Sequence, residues 1–215
     1  MNLEKSDCQF GLCWRLAAIL ALACCGCNSS ERSSADSIWI DAGQAGAVAV
    51  ERFDSNGDQV IDQAEWAKSP SLTQTFADFD SDGDGKVAAS DVTGRLLRLS
   101  MSGKPLAEVE CRVQQEGSPL AGASVRFKPM LAKPAPSWAG EGVTNAQGIA
   151  TISLPADAIP EELQGAKGVP PGIYLVEITH PERQIPARYN SATELGAVVD
   201  PTSKAGLVVR FDLKP

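Results

Sequence analysis

Asp54-Ser-Asn-Gly-Asp-Gln-Val-Ile-Asp-Gln-Ala-Glu65 and Asp80-Ser-Asp-Gly-Asp-Gly-Lys-Val-Ala-Ala-Ser-Asp91 begin 26 positions apart, and both place an oxygen-bearing side chain at the first, third, fifth and twelfth positions. In a twelve-residue loop of that spacing, short side chains at 1, 3 and 5 converge on one centre. The backbone carbonyl at 7 adds an oxygen, and the carboxylate at 12 enters from the following helix. The candidate ligands are Asp54, Asn56, Asp58, the carbonyl of Val60 and Glu65 in loop 1, and Asp80, Asp82, Asp84, the carbonyl of Lys86 and Asp91 in loop 2. An all-oxygen set suits the hard cation Ca²⁺. With Asp62 of loop 1 counted, each loop carries four carboxylates. Held about 4–5 Å apart, a pair of them repels by about 3–4 kcal/mol at an effective dielectric near 20, which a divalent ion relieves. The bland alternative is that Asp, Asn and Gly simply make turns. Against it stand an apolar residue at position 8 of both loops (Ile61, Val87) and a Phe just before each (Phe53, Phe79).

The two loops resemble the EF-hand family, with departures. Loop 1 has Gln59 at position 6, where the family's Gly permits a sharp turn, so backbone strain or a looser site is expected there. Loop 2 keeps Gly85 but has Ala88 at position 9 and the shorter Asp91 at position 12. The resemblance implies calcium binding, and the departures imply weak affinity, about 10⁻⁴–10⁻³ M, the class of extracellular modules.

Helical periodicity flanks the loops. Ala45, Val48 and Ala49 lie on one side of the stretch from Gln44 to Phe53; Leu72, Phe76 and Phe79 fall at i, i+4 and i+7; Val92, Leu96 and Leu99 repeat the pattern after loop 2. Three such faces are expected to close one small core. Only 14 residues, Trp66 to Phe79, separate the loops, and Pro70 among them shortens the helices.

Near the N-terminus, Trp14-Arg15 precedes the apolar run Leu16–Ala23, which ends in Cys24-Cys25-Gly26-Cys27. The run is too short to span a bilayer and has the layout of a secretory signal peptide. Its end resembles the lipobox of bacterial lipoproteins, in which the Cys after the cut receives lipid. Cys27, preceded by Gly26, is the first choice, with Cys25 and Cys24 as alternatives, and an ordinary secreted protein is the competing reading. Ser-rich residues 28–37 fit a flexible tether. Cleavage before Cys27 would leave Cys111 as the one unmodified thiol, so no internal disulfide is expected. Cys111 lies in an alternating run and reads as a small buried hydrophobe. A net charge of −8 and a pI near 4.7 disfavour nucleic acid and anionic lipid surfaces as partners.

From Leu106 the texture changes to short alternating runs punctuated by Gly and Pro, the mark of an all-β sandwich. Strands are expected at Glu108–Gln114, Ala123–Lys128, Gly140–Thr144, Ile149–Leu154, Ile173–Thr179, Glu194–Val199 and Leu207–Leu213. The turn Gly117-Ser-Pro-Leu-Ala-Gly122, the hairpin Thr144-Asn-Ala-Gln-Gly148, and Pro170-Pro-Gly-Ile-Tyr174 follow in that order. Together they resemble the carboxypeptidase regulatory-like, or transthyretin-like, β-sandwich common in bacterial envelope proteins, over about residues 106–215. That family's domains are typically non-catalytic.

The residues agree with a chain that is no enzyme. His180, the one histidine, precedes Pro181 at a strand end, and no Ser/His/Asp set or zinc spacing is present. Glu141, Asp157, Glu161 and Glu162 could be imagined as an acid pair, but acidic residues in Pro-rich loops usually face solvent. Two long loops, Pro129–Ala139 and Pro155–Pro171, are the places for a binding surface, with Trp138, Arg188 and Tyr189 to be tested first. The competing and favoured expectation is that Trp138 covers a sheet edge and Tyr189 packs into the core.

The expected organisation is a multidomain α and β chain. It comprises a signal peptide (1–27), a tether (28–37), a compact helical EF-hand pair (38–100), a linker (101–105) and a seven-stranded transthyretin-like sandwich (106–215). The expected function is that of an exported, lipid-anchored, calcium-binding envelope protein, held to a membrane by lipid, with secretion as the alternative location. A sandwich that binds an envelope carbohydrate, peptide or protein through its loops is the second reading.

Overall fold

The computed structural model describes residues 40–203 and 207–215. The expected signal peptide, the tether and the lipidation candidate Cys27, with Cys24 and Cys25, lie outside the described residues. Among the described residues there are four α-helices and several β-sheets, a mixed architecture with substantial β content.

The helical portion begins at Asp41, whose carboxylate accepts from the backbone N–H of Gly43 at 2.9 Å and caps α1 (Ala42–Phe53). Ala45, Ala49 and Phe53 recur on its buried face. Loop 1 leads into β1 (Val60–Asp62) and the single turn α2 (Gln63–Trp66). A 3₁₀ segment, Pro70–Thr75, and the short α3 (Phe76–Phe79) lead into loop 2. β2 (Lys86–Ala88) and α4 (Ala89–Ser100) follow, with Val92, Leu96 and Leu99 buried. The helices between the loops are indeed short, as Pro70 implies. α1 and α4 lie against each other so closely that a Cβ on Gly46 would come within 2.1 Å of the Ala89 carbonyl oxygen. Trp66, outside the three periodic faces, is fully buried at the centre, its ring centroid 5.4 Å from that of Phe53 and 5.0 Å from that of Phe79. Its indole N–H donates to the Leu72 carbonyl at 2.8 Å, so the polar edge is satisfied.

The β portion comprises β3 (Val109–Gln115), β4 (Ser118–Pro119), β5 (Ser124–Pro129), β6 (Gly140–Val143), β7 (Ile149–Ile152), β8 (Gly172–Thr179), β9 (Gly196–Val199) and β10 (Val208–Leu213). The seven expected stretches are all strands, with ends moved by one or two residues. The two-residue β4, which carries no alternation of its own, is an eighth. One sheet is built on β3, which pairs in parallel with β10 and antiparallel with β7 and β4. The other has the order β6-β5-β8-β9, antiparallel throughout. Val109, Cys111 and Val113 of β3 meet Val125 and Phe127 of β5 and Tyr174, Val176 and Ile178 of β8 in one core. Burial pushes the Cys111 thiol up to about 12, leaving an inert packing group. Thr144, a buried polar residue, donates to the Leu120 carbonyl at 2.6 Å and accepts from Ala123 N–H at 2.8 Å. That pins the expected hairpin, in which Asn145 accepts from Gln147 N–H at 2.9 Å and Gly148 takes a φ of +72°.

The three helical faces do not close their core alone. Met130, Leu131 and Ile173 from the β portion sit in the same buried cluster as Phe53, Trp66 and Leu72, with Leu175 and Val198 packed against it. The cause is strand parity. On β8, Tyr174, Val176 and Ile178 face the other sheet, and the alternate residues Ile173 and Leu175 face the helices. The β6-β5-β8-β9 sheet is thus the middle of three layers. Helices and sheets belong to one compact unit of the chain.

Candidate metal centre

Each acidic loop is coiled by its own side chains. In loop 1, Asp54 accepts from Gly57 N–H at 2.7 Å and Gln59 N–H at 3.0 Å, Asn56 from Asp58 N–H at 2.8 Å, and Asp58 from Val60 N–H at 3.1 Å. Loop 2 repeats the set: Asp80 accepts from Gly83 N–H at 2.9 Å and Gly85 N–H at 3.0 Å, and Asp84 from Lys86 N–H at 2.8 Å. These bonds use short Asp and Asn side chains because only they reach a backbone N–H two to five residues on. Position 6 takes a positive φ in both loops, +82° at Gly85 and +67° at Gln59. The expected departure in loop 1 is therefore met by holding a side-chain-bearing residue in the left-handed region, at a cost of about 1 kcal/mol.

The loops lie back to back. β1 and β2 pair antiparallel with Ile61 opposite Val87, both fully buried. The two position-8 residues thus join the loops and root them in the helical core.

One carboxylate oxygen each from Asp54, Asp58 and Glu65 lies within 4.8 Å of the others, and the same holds for Asp80, Asp82 and Asp84. Of the expected ligands, the carboxylates at positions 1, 5 and 12 of loop 1 and at 1, 3 and 5 of loop 2 are brought together, so the loops differ at position 12. Glu65, only 5% exposed, turns into loop 1 and accepts from Ser55 N–H at 2.7 Å, Ser55 Oγ at 2.9 Å and Asn56 N–H at 3.2 Å. Its other oxygen accepts from Asp62 N–H at 3.2 Å. The Ser55 N–H is the largest influence on its acidity; burial opposes it, and the remaining donors join it to hold the carboxyl at about 2. Asp91 does not join the loop 2 group: its carboxylate accepts from Ala88 N–H at 2.8 Å and caps α4. Asp62 likewise caps α2, accepting from Glu65 N–H at 2.9 Å. Six of the eight carboxylates converge, and the other two serve helix starts. Ser55, which sequence reasoning passed over, is the residue that fixes Glu65. A hydroxyl at position 2 followed by Glu at position 12 was the signal.

The other singled-out residues have structural partners. His180 Nδ1 accepts from Glu182 N–H at 3.0 Å and Arg183 N–H at 3.1 Å, which leaves Nε2 as the donor to the Ala121 carbonyl at 2.9 Å. Tyr189 is 9% exposed, accepts from Lys214 N–H at 3.0 Å, and has the Arg188 guanidinium 5.0 Å from its ring centroid. Glu141 pairs with Arg126 at 3.0 Å on the surface. Trp138 is 6% exposed and belongs to the core between the sheets. The loops around it still form an open cleft of about 460 Å³, lined by Ser137, Trp138, Asp157, Ile159, Pro160 and Glu161. Compared with known proteins, the chain matches no protein-family model and no curated protein.

Proposed function

We propose that this chain is a calcium-binding protein of the cell envelope without catalytic activity, in which an EF-hand pair is packed against a transthyretin-like sandwich. The observation that carries the reading is the pair of convergent carboxylate groups in loops held back to back by Ile61 and Val87. The donor chemistry fits: oxygen atoms alone, on loops already coiled by their own backbone N–H groups. Asp54, Asn56, Asp58, Glu65 and the Val60 carbonyl would hold one ion, and Asp80, Asp82, Asp84 and the Lys86 carbonyl the other. Bound Ca²⁺ supplies positive charge that relieves the repulsion among each group of acids and so favours the folded loops. Export and lipid attachment at Cys27 complete the proposal from the N-terminal sequence. The absence of catalysis is supported by His180, whose ring is committed to backbone partners on both nitrogens.

Titration calorimetry and native mass spectrometry with Ca²⁺, against Mg²⁺ and a chelated control, test the reading. The expected result is two calcium ions and a melting temperature raised by millimolar Ca²⁺. No ion bound at millimolar Ca²⁺ overturns it. A second reading, a module that binds an envelope carbohydrate or peptide, is favoured by the cleft beside Trp138 between the two long loops. Glycan and peptide arrays probed with the protein and with Trp138→Ala decide that reading, which requires binding that the variant loses while calcium uptake persists.

A further inference from the structure

We propose that the helix–loop unit and the two sheets open as one cooperative body, so that filling of the acidic loops is felt at β9 and along residues 130–138 as far as Trp138. The ionic half of this proposal rests on the calcium reading above; the cooperative half does not.

Four observations carry it. Met130, Leu131 and Ile173, each no more than 4% exposed, complete the helical core, so separating the portions would bare them. Each such side chain weights against local opening by about ten- to a hundredfold. Second, the segment after β5 has one end in each core: Met130 and Leu131 lie among the helices and Trp138 between the sheets. Third, β9 runs directly beneath the 3₁₀ segment. A Cβ on Gly196 would meet Leu72 Cγ at 2.6 Å, and Ser69 Oγ donates to the Glu194 carbonyl at 3.2 Å. The helical portion thereby covers the outer face of the middle sheet at β9.

Fourth, polar clasps leave the helices close to the loops. Arg95, one turn after Asp91 on α4, pairs with Asp200 beyond β9 at 2.5 Å, both side chains under 20% exposed. Glu51, three residues before Asp54, pairs with Lys133 at 2.8 Å. The exposed Lys133 pair adds little energy, but the sheltered Arg95 pair is held by its surroundings. The first ligand of each loop directly follows a core aromatic, Phe53 or Phe79. Ordering a loop therefore acts on side chains of the same buried cluster as Leu131 and Ile173.

Hydrogen exchange on the intact chain, in chelator with increasing denaturant, tests the cooperative half. The slowest amides of α1, α4, β8 and β9 are expected to share one opening free energy and one denaturant slope. Leu131→Ala is expected to speed exchange in α1 and α4 as well as in β8 by about tenfold or more. The milder Ile173→Val reports the same coupling should Leu131→Ala not fold. Helix amides that keep their rates in these variants, or that exchange through a separate shallower opening, overturn the proposal. Repeated with millimolar Ca²⁺, the experiment is expected to slow β9 and residues 130–138 together with α4. Bound calcium that slows only the loop amides overturns the ionic half and leaves the calcium reading standing. No bound calcium overturns the ionic half and the calcium reading together, and the variants then decide cooperativity by themselves.

Discussion

Glu65 accepts a 2.7 Å hydrogen bond from the backbone N–H of Ser55, ten residues earlier, and so folds the twelfth position of loop 1 back over its second. Asp91, at the same place in loop 2, is one methylene shorter and stays with Ala88 at the start of α4. The two loops should consequently differ in affinity. Loop 1 is expected to fill first, and Glu65→Gln should weaken its calcium binding by about tenfold or more, about 1.4 kcal/mol or more, since a neutral amide replaces a charged ligand of the same length. Asp91→Asn should change calcium affinity by less. Asp91→Glu should tighten loop 2 by restoring the reach of the side chain. Calorimetric titrations of the three variants beside the parent chain check all of this, and an effect of Asp91→Asn as large as that of Glu65→Gln would sink the distinction.

The same carboxylate sets an acid limit. Its pKa is held at about 2, below the ordinary 4.5, by Ser55 N–H first, with burial opposing and the donors of Asp62 and Asn56 adding to it. A depressed folded pKa means that the folded state binds the proton less readily than the unfolded one, so stability falls as pH falls. The contribution of Glu65 should be complete above pH 4.5 and lost progressively toward pH 2. In chelator, the melting-temperature difference between the parent chain and Glu65→Gln should shrink across that window. A difference that is constant from pH 5 to pH 2 would contradict this account.

The strands and the convergence of the acidic side chains were legible because both signals are local. Alternation in Val109–Gln115 or Ser124–Pro129 names the buried face of each strand, and ligand spacing at 54–65 and 80–91 is carried by residues that hydrogen-bond within a few positions. What was not legible is long-range. The run Ile173-Tyr-Leu-Val176 is apolar at both parities, which is how a strand covered on two faces reads. Read locally, it fits one layer of a two-layer sandwich equally well. Its second partner, the helical core, lies about 100 positions earlier in the chain. The different fates of Glu65 and Asp91 were partly legible as a difference of one methylene. The role of Ser55 was legible only as a hydroxyl at position 2 of a loop whose position 12 is Glu.

Gln59 is the one residue of the two acidic loops whose backbone works against its side chain. At φ +67° it occupies the conformation that Gly85 takes freely at the same position of loop 2. Gln59→Gly removes that strain, and the greater freedom of Gly in the unfolded chain offsets part of the gain. The net expectation is a stabilisation of about 0.5 kcal/mol, read as a slightly higher melting temperature in chelator. Gly85→Ala should do the reverse in loop 2. If Gln59→Gly lowers the melting temperature, contacts made by the Gln side chain outweigh the backbone.

Gly46 decides how closely the two long helices approach. A methyl group there would stand 2.1 Å from the Ala89 carbonyl oxygen and 2.6 Å from Thr93 Oγ1. Thr93 can rotate; the Ala89 carbonyl is backbone in the first turn of α4 and can move only with the helix. Ala is the better helix former by about 1 kcal/mol, so propensity alone predicts that Gly46→Ala stabilises α1. Overpacking against a rigid group costs about 1–3 kcal/mol and should win. Because Ala89 follows β2, pushing α4 away also pulls Val87 from Ile61 and separates the back-to-back loops. Gly46→Ala is therefore expected to lower both the melting temperature and the calcium affinity. Gly94→Ala, within α4, where the added methyl would meet nothing closer than Arg98 Nη1 at 3.5 Å, serves as the propensity control. Equal effects of the two substitutions would show that helix propensity, not the approach of α1 to α4, sets the outcome.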